Sequence, residues 1–218
     1  MATGKGPRRP SPLEPLDVNQ AFSAAGSTLG FSVPDFWRWS LGDLRMNTAR
    51  GFLAEFLVAR AVGSTDPIRV EWASYDVEAP DGTRIEVKAT GYAQSWSHAR
   101  DSTPSYDFKS AYATTTWDDE RGEYVRVRPE ERVHVWVFAL HTARLGDPYD
   151  PLDIARWEFR VVPHGALIRT GQKSAGLSLF DRLGIEPVGW HDLPEAIAAA
   201  RAEHDRIAAA RSEAPGRS

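Results

Sequence analysis

Residues 75–88 read YDVEAPDGTRIEVK, and this stretch decides more of the predicted fold than any other part of the chain. Two runs in which apolar and charged residues alternate flank Pro80-Asp81-Gly82, a sequence typical of a reverse turn. Alternation with a period of two is the pattern of a half-buried strand. We therefore predict a β-hairpin whose strands share one apolar face and one charged face.

The register of this hairpin follows from matching the two faces. A two-residue loop would place Val77 opposite Glu86 and mix apolar with charged partners, which strand pairing disfavours. A three-residue loop or a bulge instead places Asp76 opposite Lys88 and Val77 opposite Val87. We therefore expect Asp76, Glu86 and Lys88 to lie together on the charged face.

A helix is predicted upstream of the hairpin, over residues 49–62, and Gly63 ends it. Its wide apolar stripe includes Phe52 and Phe56. Glu55 lies on the flank of this stripe, where it can either reach solvent or face the hairpin. We expect Glu55 to approach the charged face and to contribute a third carboxylate.

The remaining pattern predicts a mixed α/β chain. We expect a short aromatic helix, a buried central strand, a further strand and an Ala-rich helix at residues 34–43, 133–141, 157–162 and 193–210, and a strand near 106–109 in a polar excursion. This order favours a mixed central sheet flanked by helices. We predict a single domain over residues 21–212, between a flexible arm of residues 1–20 and a flexible tail of residues 213–218.

Composition limits the classes of function. The 218 residues contain no cysteine, which excludes disulfides, thiolate nucleophiles and cysteine-ligated zinc. No run approaches the roughly 18 apolar residues of a membrane span, and the N-terminus lacks the apolar core of a signal peptide. We therefore expect a cytoplasmic protein without membrane contact. The net charge of −4 counts against a large basic surface for nucleic acid, although a local groove is enough for a nuclease.

The charged cluster has the composition of a magnesium site. Mg²⁺ prefers hard oxygen ligands and keeps several waters. Asp76, Glu86 and the carbonyl of Val87 would supply protein ligands, and Glu55 would reach the metal directly or through water. Lys88 would orient the attacking water or stabilise developing charge. The alternative is a solvated strand face, where alternating charges have no catalytic role.

On these residues the chain resembles the PD-(D/E)XK nuclease superfamily, which has the restriction-endonuclease-like fold. That fold places an acidic residue on a helix, an Asp on the next strand and a (D/E)-x-K motif after it. Glu55, Asp76, Glu86 and Lys88 match these positions in order, and Tyr75 stands where the motif has proline. The resemblance covers roughly residues 47–140. Residues 50–55, 86–96 and 157–159 also look like a group of small, poorly characterised bacterial proteins assigned to this superfamily.

The resemblance implies a Mg²⁺-dependent endonuclease, in which Mn²⁺ can substitute. The implied substrate is DNA, cut to 5′-phosphate and 3′-hydroxyl ends, and RNA stays open. A role in restriction or phage defence is favoured over repair. A homodimer would let two sites cut a duplex. The alternatives are a non-catalytic nucleic-acid-binding module with this fold and a subunit that depends on a partner protein for its grip on DNA.

Five further residues are candidates near this cluster. Gln94 follows Lys88 by six residues, where related nucleases often place a polar catalytic residue, and a helix there would aim it at the site. The alternative for Gln94 is a surface loop. Candidates for nucleic-acid contact are Arg50, Tyr92, Trp96 and Lys109. Salt bridging is the alternative for Arg50, and core packing is the alternative for the two aromatic residues.

Overall fold

The chain alternates short helices with strands along its length. The structure is a computed structural model that describes residues 14–70, 73–96, 99–118 and 121–213. Its first half contains β1 (Ala21–Ala24), β2 (Ser27–Ser32), α1 (Val33–Leu41), α2 (Asn47–Val62), β3 (Val77–Glu78) and β4 (Arg84–Gly91). Its second half contains β5 (Ser105–Asp107), β6 (Thr115–Asp118), β7 (Glu123–Arg126), α3 (Pro129–Arg132), β8 (Val135–His141), β9 (Trp157–Pro163), α4 (His164–Arg169), β10 (Ser174–Gly176), α5 (Leu177–Leu183) and α6 (Leu193–Glu213).

A four-stranded sheet with the order β3-β4-β8-β9 is the centre of the fold. β4 and β8 are parallel, whereas β3 and β9 pair antiparallel with their neighbours, so the sheet is mixed. Every residue of β8 is buried, as its apolar sequence predicts. The described chain therefore belongs to the α/β class, with a mixed sheet and helices, as expected from the sequence.

Each face of the sheet carries its own apolar cluster. One cluster joins Val87 and its neighbours to α2 and α6. The other collects aromatic residues around Trp136 and Phe138, which alternate in β8 with the residues of the first cluster. Because Glu86 and Lys88 pair with Trp136 and Phe138, their side chains lie on the aromatic face of the sheet.

The hairpin forms, but its predicted register is wrong by two residues. Val77 pairs with Ile85, and the N–H of Ala79 donates to the carbonyl of Thr83 at 2.9 Å, which closes a three-residue loop. Asp76 therefore does not lie opposite Lys88. The apolar pattern could not detect this shift, because a shift of two residues leaves every side chain on the same face.

The predicted apolar face of α2 is also corrected. The residues that α2 buries are Ala54, Leu57 and Val58, together with its N-terminal turn, whereas Phe52 and Phe56 are 38% and 53% exposed. The buried residues also follow the i, i+3, i+4 spacing, so the sequence contains two overlapping stripes. The helix approaches the sheet through the smaller residues, which permit the closer packing. Gly63 ends the helix with φ of 71°, as predicted.

The remaining predicted elements form close to their expected bounds. They are α1, β8, β9 and α6, while the strand predicted near residues 106–109 is shortened to β5 and followed by a 3₁₀ turn at Lys109–Tyr112. Residues 1–13 and 214–218, which contain most of the predicted arm and tail, lie outside the described residues. Within the described ranges, no helix combines the length and hydropathy needed to cross a bilayer.

Candidate active site

Asp76 lies where the pairing of β3 with β4 stops. Its backbone N–H donates to the carbonyl of Ile85 at 3.0 Å, although Ile85 is the strand partner of Val77. Its side chain then turns toward β4, and Oδ2 accepts a hydrogen bond from the N–H of Val87 at 2.8 Å. The carboxylate of Asp76 is thereby fixed against the exposed edge of β4.

The carbonyl of Val87 lies on the same side of β4 as this carboxylate. The N–H and C=O of one strand residue point in the same direction, as the paired bonds of an antiparallel ladder require. Since the N–H of Val87 points at Asp76, its carbonyl also opens toward the edge that β3 leaves uncovered. The backbone oxygen expected to be a metal ligand is therefore on the correct side of the strand.

The carboxylate of Glu86 is held by three donors, from Lys88, Ser110 and Arg132. Its Oε1 accepts from Lys88 Nζ at 2.9 Å and from Ser110 Oγ at 3.2 Å, and its Oε2 lies 3.5 Å from Arg132 Nη1. Only 9% of the Glu86 side chain is exposed. Lys88 Nζ also lies 5.8 Å from the centre of the Trp136 ring. Glu86 and Lys88 thus meet as the sequence predicts, in a largely dry setting.

Arg132 is buried beneath Glu86 and connects three parts of the chain. Its Nη1 donates to the carbonyl of Ser74 at 2.5 Å, and its Nη2 donates to the carbonyl of Ser110 at 2.7 Å. The sequence analysis missed Arg132 and Ser110, because they lie far from Glu86 along the chain. No local motif identifies them, and only the packing of α3 and the 3₁₀ turn brings them to the site.

Glu55 faces the same site from α2, and a second arginine, Arg69, lies between it and Asp76. Arg69 Nε donates to Glu55 Oε2 at 2.5 Å, and Arg69 Nη2 lies 3.4 Å from Glu55 Oε1 and 3.8 Å from Asp76 Oδ1. The side chains of Glu55 and Asp76 are 14% and 15% exposed. The structure thus brings Glu55 beside Asp76, with a guanidinium between them that the sequence analysis did not anticipate.

The electrostatics of the site perturb two of its groups. Burial, and then the negative charge of Glu86, raise the pKa of Asp76 to about 7. Burial alone would lower the pKa of Lys88, but the charges of Glu86 and Asp76 outweigh it and the pKa is raised. A carboxylate whose ionisation is disfavoured by burial and by a neighbouring negative charge marks a position where further positive charge would be stabilised.

The donor set suits Mg²⁺, though it is not a complete protein cage. Among the described residues, no group of three or more His, Cys, Asp or Glu side chains is arranged to hold a metal ion. Mg²⁺ is commonly bound by only one or two carboxylates, with water and substrate phosphates completing its shell. Asp76 and Glu86, together with the Val87 carbonyl, meet this requirement, and the raised pKa of Asp76 indicates the deficit of positive charge that a cation would correct.

Gln94 belongs to a different network, at the C-terminal end of β4. Its Nε2 donates to the carbonyl of Gly91 at 2.8 Å, and its Oε1 accepts from Arg50 Nη2 at 2.9 Å. Arg50 is 1% exposed and also donates to the carbonyl of Ala93 and to Asn47 Oδ1. The predicted contact of Arg50 with nucleic acid is therefore wrong for this structure, since its guanidinium is internal. The described residues after β4 contain no helix to aim Gln94 at Glu86.

The other three predicted nucleic-acid contacts have different degrees of access. Trp96 is 55% exposed. Tyr92 is half-buried, and the guanidinium of Arg144 lies over its ring at 4.1 Å. Lys109 is exposed, but its Nζ pairs with Asp107 at 2.6 Å. Among the described residues, the contacts of Tyr92 and Lys109 are with Arg144 and Asp107, and neither residue contacts Asp76 or Glu86 directly.

Comparison with protein-family models found no match for the chain, and comparison with curated proteins found none either. The site is therefore interpreted from its own geometry and from the sequence pattern.

Proposed function

We propose that the chain is a metal-dependent nuclease that hydrolyses phosphodiester bonds, with DNA as the favoured substrate. The proposal includes a restriction-endonuclease-like core, of which α2 and the β3-β4-β8 part of the sheet are the counterparts in this chain. Mg²⁺ is the proposed cofactor, and Mn²⁺ is expected to substitute for it. A homodimer and a role in phage defence stay part of the proposal.

One observation carries this proposal more than any other. A buried carboxylate, Asp76, lies at the exposed edge of β4 within the electrostatic field of a second, Glu86, and its pKa is raised to about 7. Replacing a carboxylate at such a position by a neutral residue is expected to stabilise the fold, so retaining the carboxylate has a cost in stability. Retaining the charge there is expected where the charge has a function, since perturbed titratable groups cluster at functional sites.

The residues divide the work of phosphodiester hydrolysis. Asp76, Glu86 and the Val87 carbonyl would hold the metal, which when bound polarises the phosphate and lowers the pKa of a coordinated water. Lys88 keeps its proton at neutral pH, because its pKa is raised. Its ammonium therefore suits stabilisation of the developing phosphate charge better than removal of a proton from water.

Glu55 and Arg132 have supporting parts in this proposal. Arg132 positions Glu86 from beneath, through Oε2, and leaves Oε1 toward Lys88. Glu55 lies beside Asp76 and is available to a water in the outer shell of the metal. For Glu55 to bind this water, Arg69 must first release its present contact with Glu55.

The test is cleavage of supercoiled plasmid and of single-stranded DNA and RNA, with Mg²⁺ or Mn²⁺ and without metal. Metal-dependent cleavage should be lost in Lys88→Ala and in Glu86→Ala. Lys173→Ala is the matched control, because Lys173 is an exposed lysine that belongs to no predicted site. Equal activity in the wild type and in Lys88→Ala would reject the proposed site.

A subunit that depends on a partner protein is the second candidate function. It is favoured by a specific set of observations: Arg50 is internal, and Lys109 already pairs with Asp107. The chain also has a net charge of −4. A nuclease with a complete site but little positive surface would need a partner to grip the phosphate backbone. Cleavage that requires a partner, and is still lost in Lys88→Ala, would identify this case.

A further inference from the structure

Within the described part of the chain, Arg69 is the cation that lies between two of the carboxylates predicted to serve the metal. Its guanidinium contacts Glu55 through two nitrogens and approaches Asp76 Oδ1 to 3.8 Å. It comes from the segment between α2 and β3, and not from the sheet that holds Glu86 and Lys88.

Among the described residues, the carboxylates of the site already have cations beside them before any metal is added. Three carboxylates meet three cations: Glu55, Asp76 and Glu86 against Arg69, Lys88 and Arg132. Arginine does not lose its proton at any pH at which the protein is folded. A divalent cation bound at Asp76 would consequently meet a permanent positive charge a few ångströms away, and would compete with it for the same oxygens.

The side chain of Arg69 has a second contact that does not involve a carboxylate. Its guanidinium carbon lies 4.9 Å from the centre of the Phe52 ring, a geometry that favours cation–π attraction. Phe52 is partly exposed on α2, and 37% of the Arg69 side chain is exposed, so this contact lies near the protein surface. Arg69 can thus leave the carboxylates without crossing the core, and it would remain beside the site when it does.

We propose that Arg69 is a built-in competitor of the metal: it occupies Glu55 and Asp76 in the empty site and must be displaced when the divalent cation loads. The inference rests on the proposed function, because it assigns Asp76 to the metal. The displaced guanidinium stays next to the loaded site, where a substrate phosphate is a bidentate ligand that fits it. Metal loading and phosphate binding are then coupled through one side chain.

The chain offers a close control for Arg69. Arg60 also lies over a partly exposed phenylalanine of α2, with its guanidinium carbon 5.0 Å from the centre of the Phe56 ring. Among the described carboxylates of the site, none pairs with Arg60. Arg60→Gln therefore removes the same charge and the same type of ring contact from the same helix surface, and leaves the site intact.

The experiment measures Mn²⁺ binding to the full chain by calorimetry and by the loss of free Mn²⁺ signal in electron paramagnetic resonance, without nucleic acid. Arg69→Gln should bind Mn²⁺ at least about fivefold more tightly than wild type. This is the change in affinity expected from removing a like charge a few ångströms from the metal, even if water screens the repulsion. Arg69→Lys, which keeps the charge but not the paired contacts, should lie between them. Arg60→Gln should match wild type, and Asp76→Asn should bind weakly or not at all.

The other outcomes separate this inference from the proposed function. Equal Mn²⁺ affinity in wild type and Arg69→Gln, with binding lost in Asp76→Asn, would overturn the competition and leave the metal site standing. Weaker binding in Arg69→Gln would make Arg69 a positioning residue and would also overturn it. No Mn²⁺ binding by any variant, each shown to be folded by circular dichroism, would overturn both proposals.

Discussion

The carboxylate of Asp76 accepts a hydrogen bond from the backbone N–H of Val87 at 2.8 Å, at a point where a regular strand neighbour would supply a carbonyl oxygen. This bond ties the first carboxylate of the site to the strand that carries the second carboxylate and the lysine. The relative position of these groups is therefore set by one strand and not by a flexible loop. It also keeps the charge of Asp76 in a poorly solvated place.

The first prediction concerns the stability of Asp76→Asn as a function of pH. The pKa of Asp76 is about 7 in the folded chain against a usual 3.8, so the folded state binds more protons between these values. The stabilisation from its neutral form is complete below pH 3.8 and is lost as the pH rises through 7. The asparagine stays neutral and its amide oxygen can still accept from Val87. We expect Asp76→Asn to be more stable than wild type at pH 8, by roughly 1–2 kcal/mol.

Urea denaturation at pH 8 and pH 4 measures this difference. Glu78→Gln is the control, since Glu78 lies in the same hairpin strand and its side chain is 41% exposed. We expect the control to change little at either pH. A loss of stability in Asp76→Asn that is equal at both pH values would contradict the raised pKa and would assign the carboxylate a purely structural role.

The second prediction is that Arg132→Met is strongly destabilising. Arg132 is 8% exposed, and its removal would leave Glu86 and the carbonyls of Ser74 and Ser110 without this buried donor. Loss of one partner from a buried ion pair typically costs about 3–5 kcal/mol. Arg128→Met is the matched control, because Arg128, four residues before Arg132, makes an exposed ion pair with Glu131 whose loss should change stability little.

Thermal and urea unfolding of the two variants provide the measurement. A small effect of Arg132→Met, similar to that of Arg128→Met, would mean that Glu86 finds water or another donor when Arg132 is absent. The position of Glu86 would then depend on Lys88 and Ser110 and not on the buried guanidinium.

The sequence predicts the parts of the site that follow from local periodicity. Alternation in the hairpin assigned Val77 and Val87 to one face and Glu86 and Lys88 to the other, and this assignment is correct. The pairing register is not recoverable in the same way, because a shift of two residues preserves both faces. The loop closure at Ala79 and Thr83, a matter of backbone geometry, selects the register that forms.

The local sequence pattern does not predict which cations belong to the site. Arg69 and Arg132 reach the carboxylates from separate segments, and nothing in the residues around them distinguishes them from surface arginines. Arg50 shows the converse error: its helix position suggests a surface residue, yet its guanidinium is internal. A long side chain can extend into the protein or toward solvent from the same backbone position. Only tertiary packing therefore determines whether an arginine is internal or exposed.

The third prediction separates Gln94 from the catalytic residues. Both polar atoms of its amide are used inside the protein, by Arg50 and by the carbonyl of Gly91. We expect Gln94→Ala to reduce the free energy of unfolding by about 1–3 kcal/mol, since it leaves a buried guanidinium short of an acceptor. Cleavage per folded molecule should change less than about twofold, far less than the 10²-fold or more typical of a lost catalytic group.

Activity at a temperature well below the unfolding transition, with circular dichroism on the same samples, tests the Gln94 prediction. Gln172→Ala serves as the control, because Gln172 is an exposed glutamine outside the network. A large loss of activity in a fully folded Gln94→Ala would return Gln94 to the catalytic set, as the family resemblance implies.

The last prediction concerns a buried histidine that takes no part in the proposed reaction. His164 Nδ1 accepts from Trp136 Nε1 at 3.0 Å, and burial, then the charge of His204, lower its pKa to about 3. Below pH 6.5, the usual pKa of histidine, the unfolded chain binds a proton at His164 that the folded chain does not bind. The free energy of unfolding therefore decreases as the pH is lowered, by up to about 1.4 kcal/mol per pH unit. His164→Gln can keep the acceptor for Trp136 without titrating, and it should reduce this slope between pH 6 and 4 in urea denaturation. His191→Gln, at an exposed site, is the control, and equal slopes in wild type and His164→Gln would contradict the prediction.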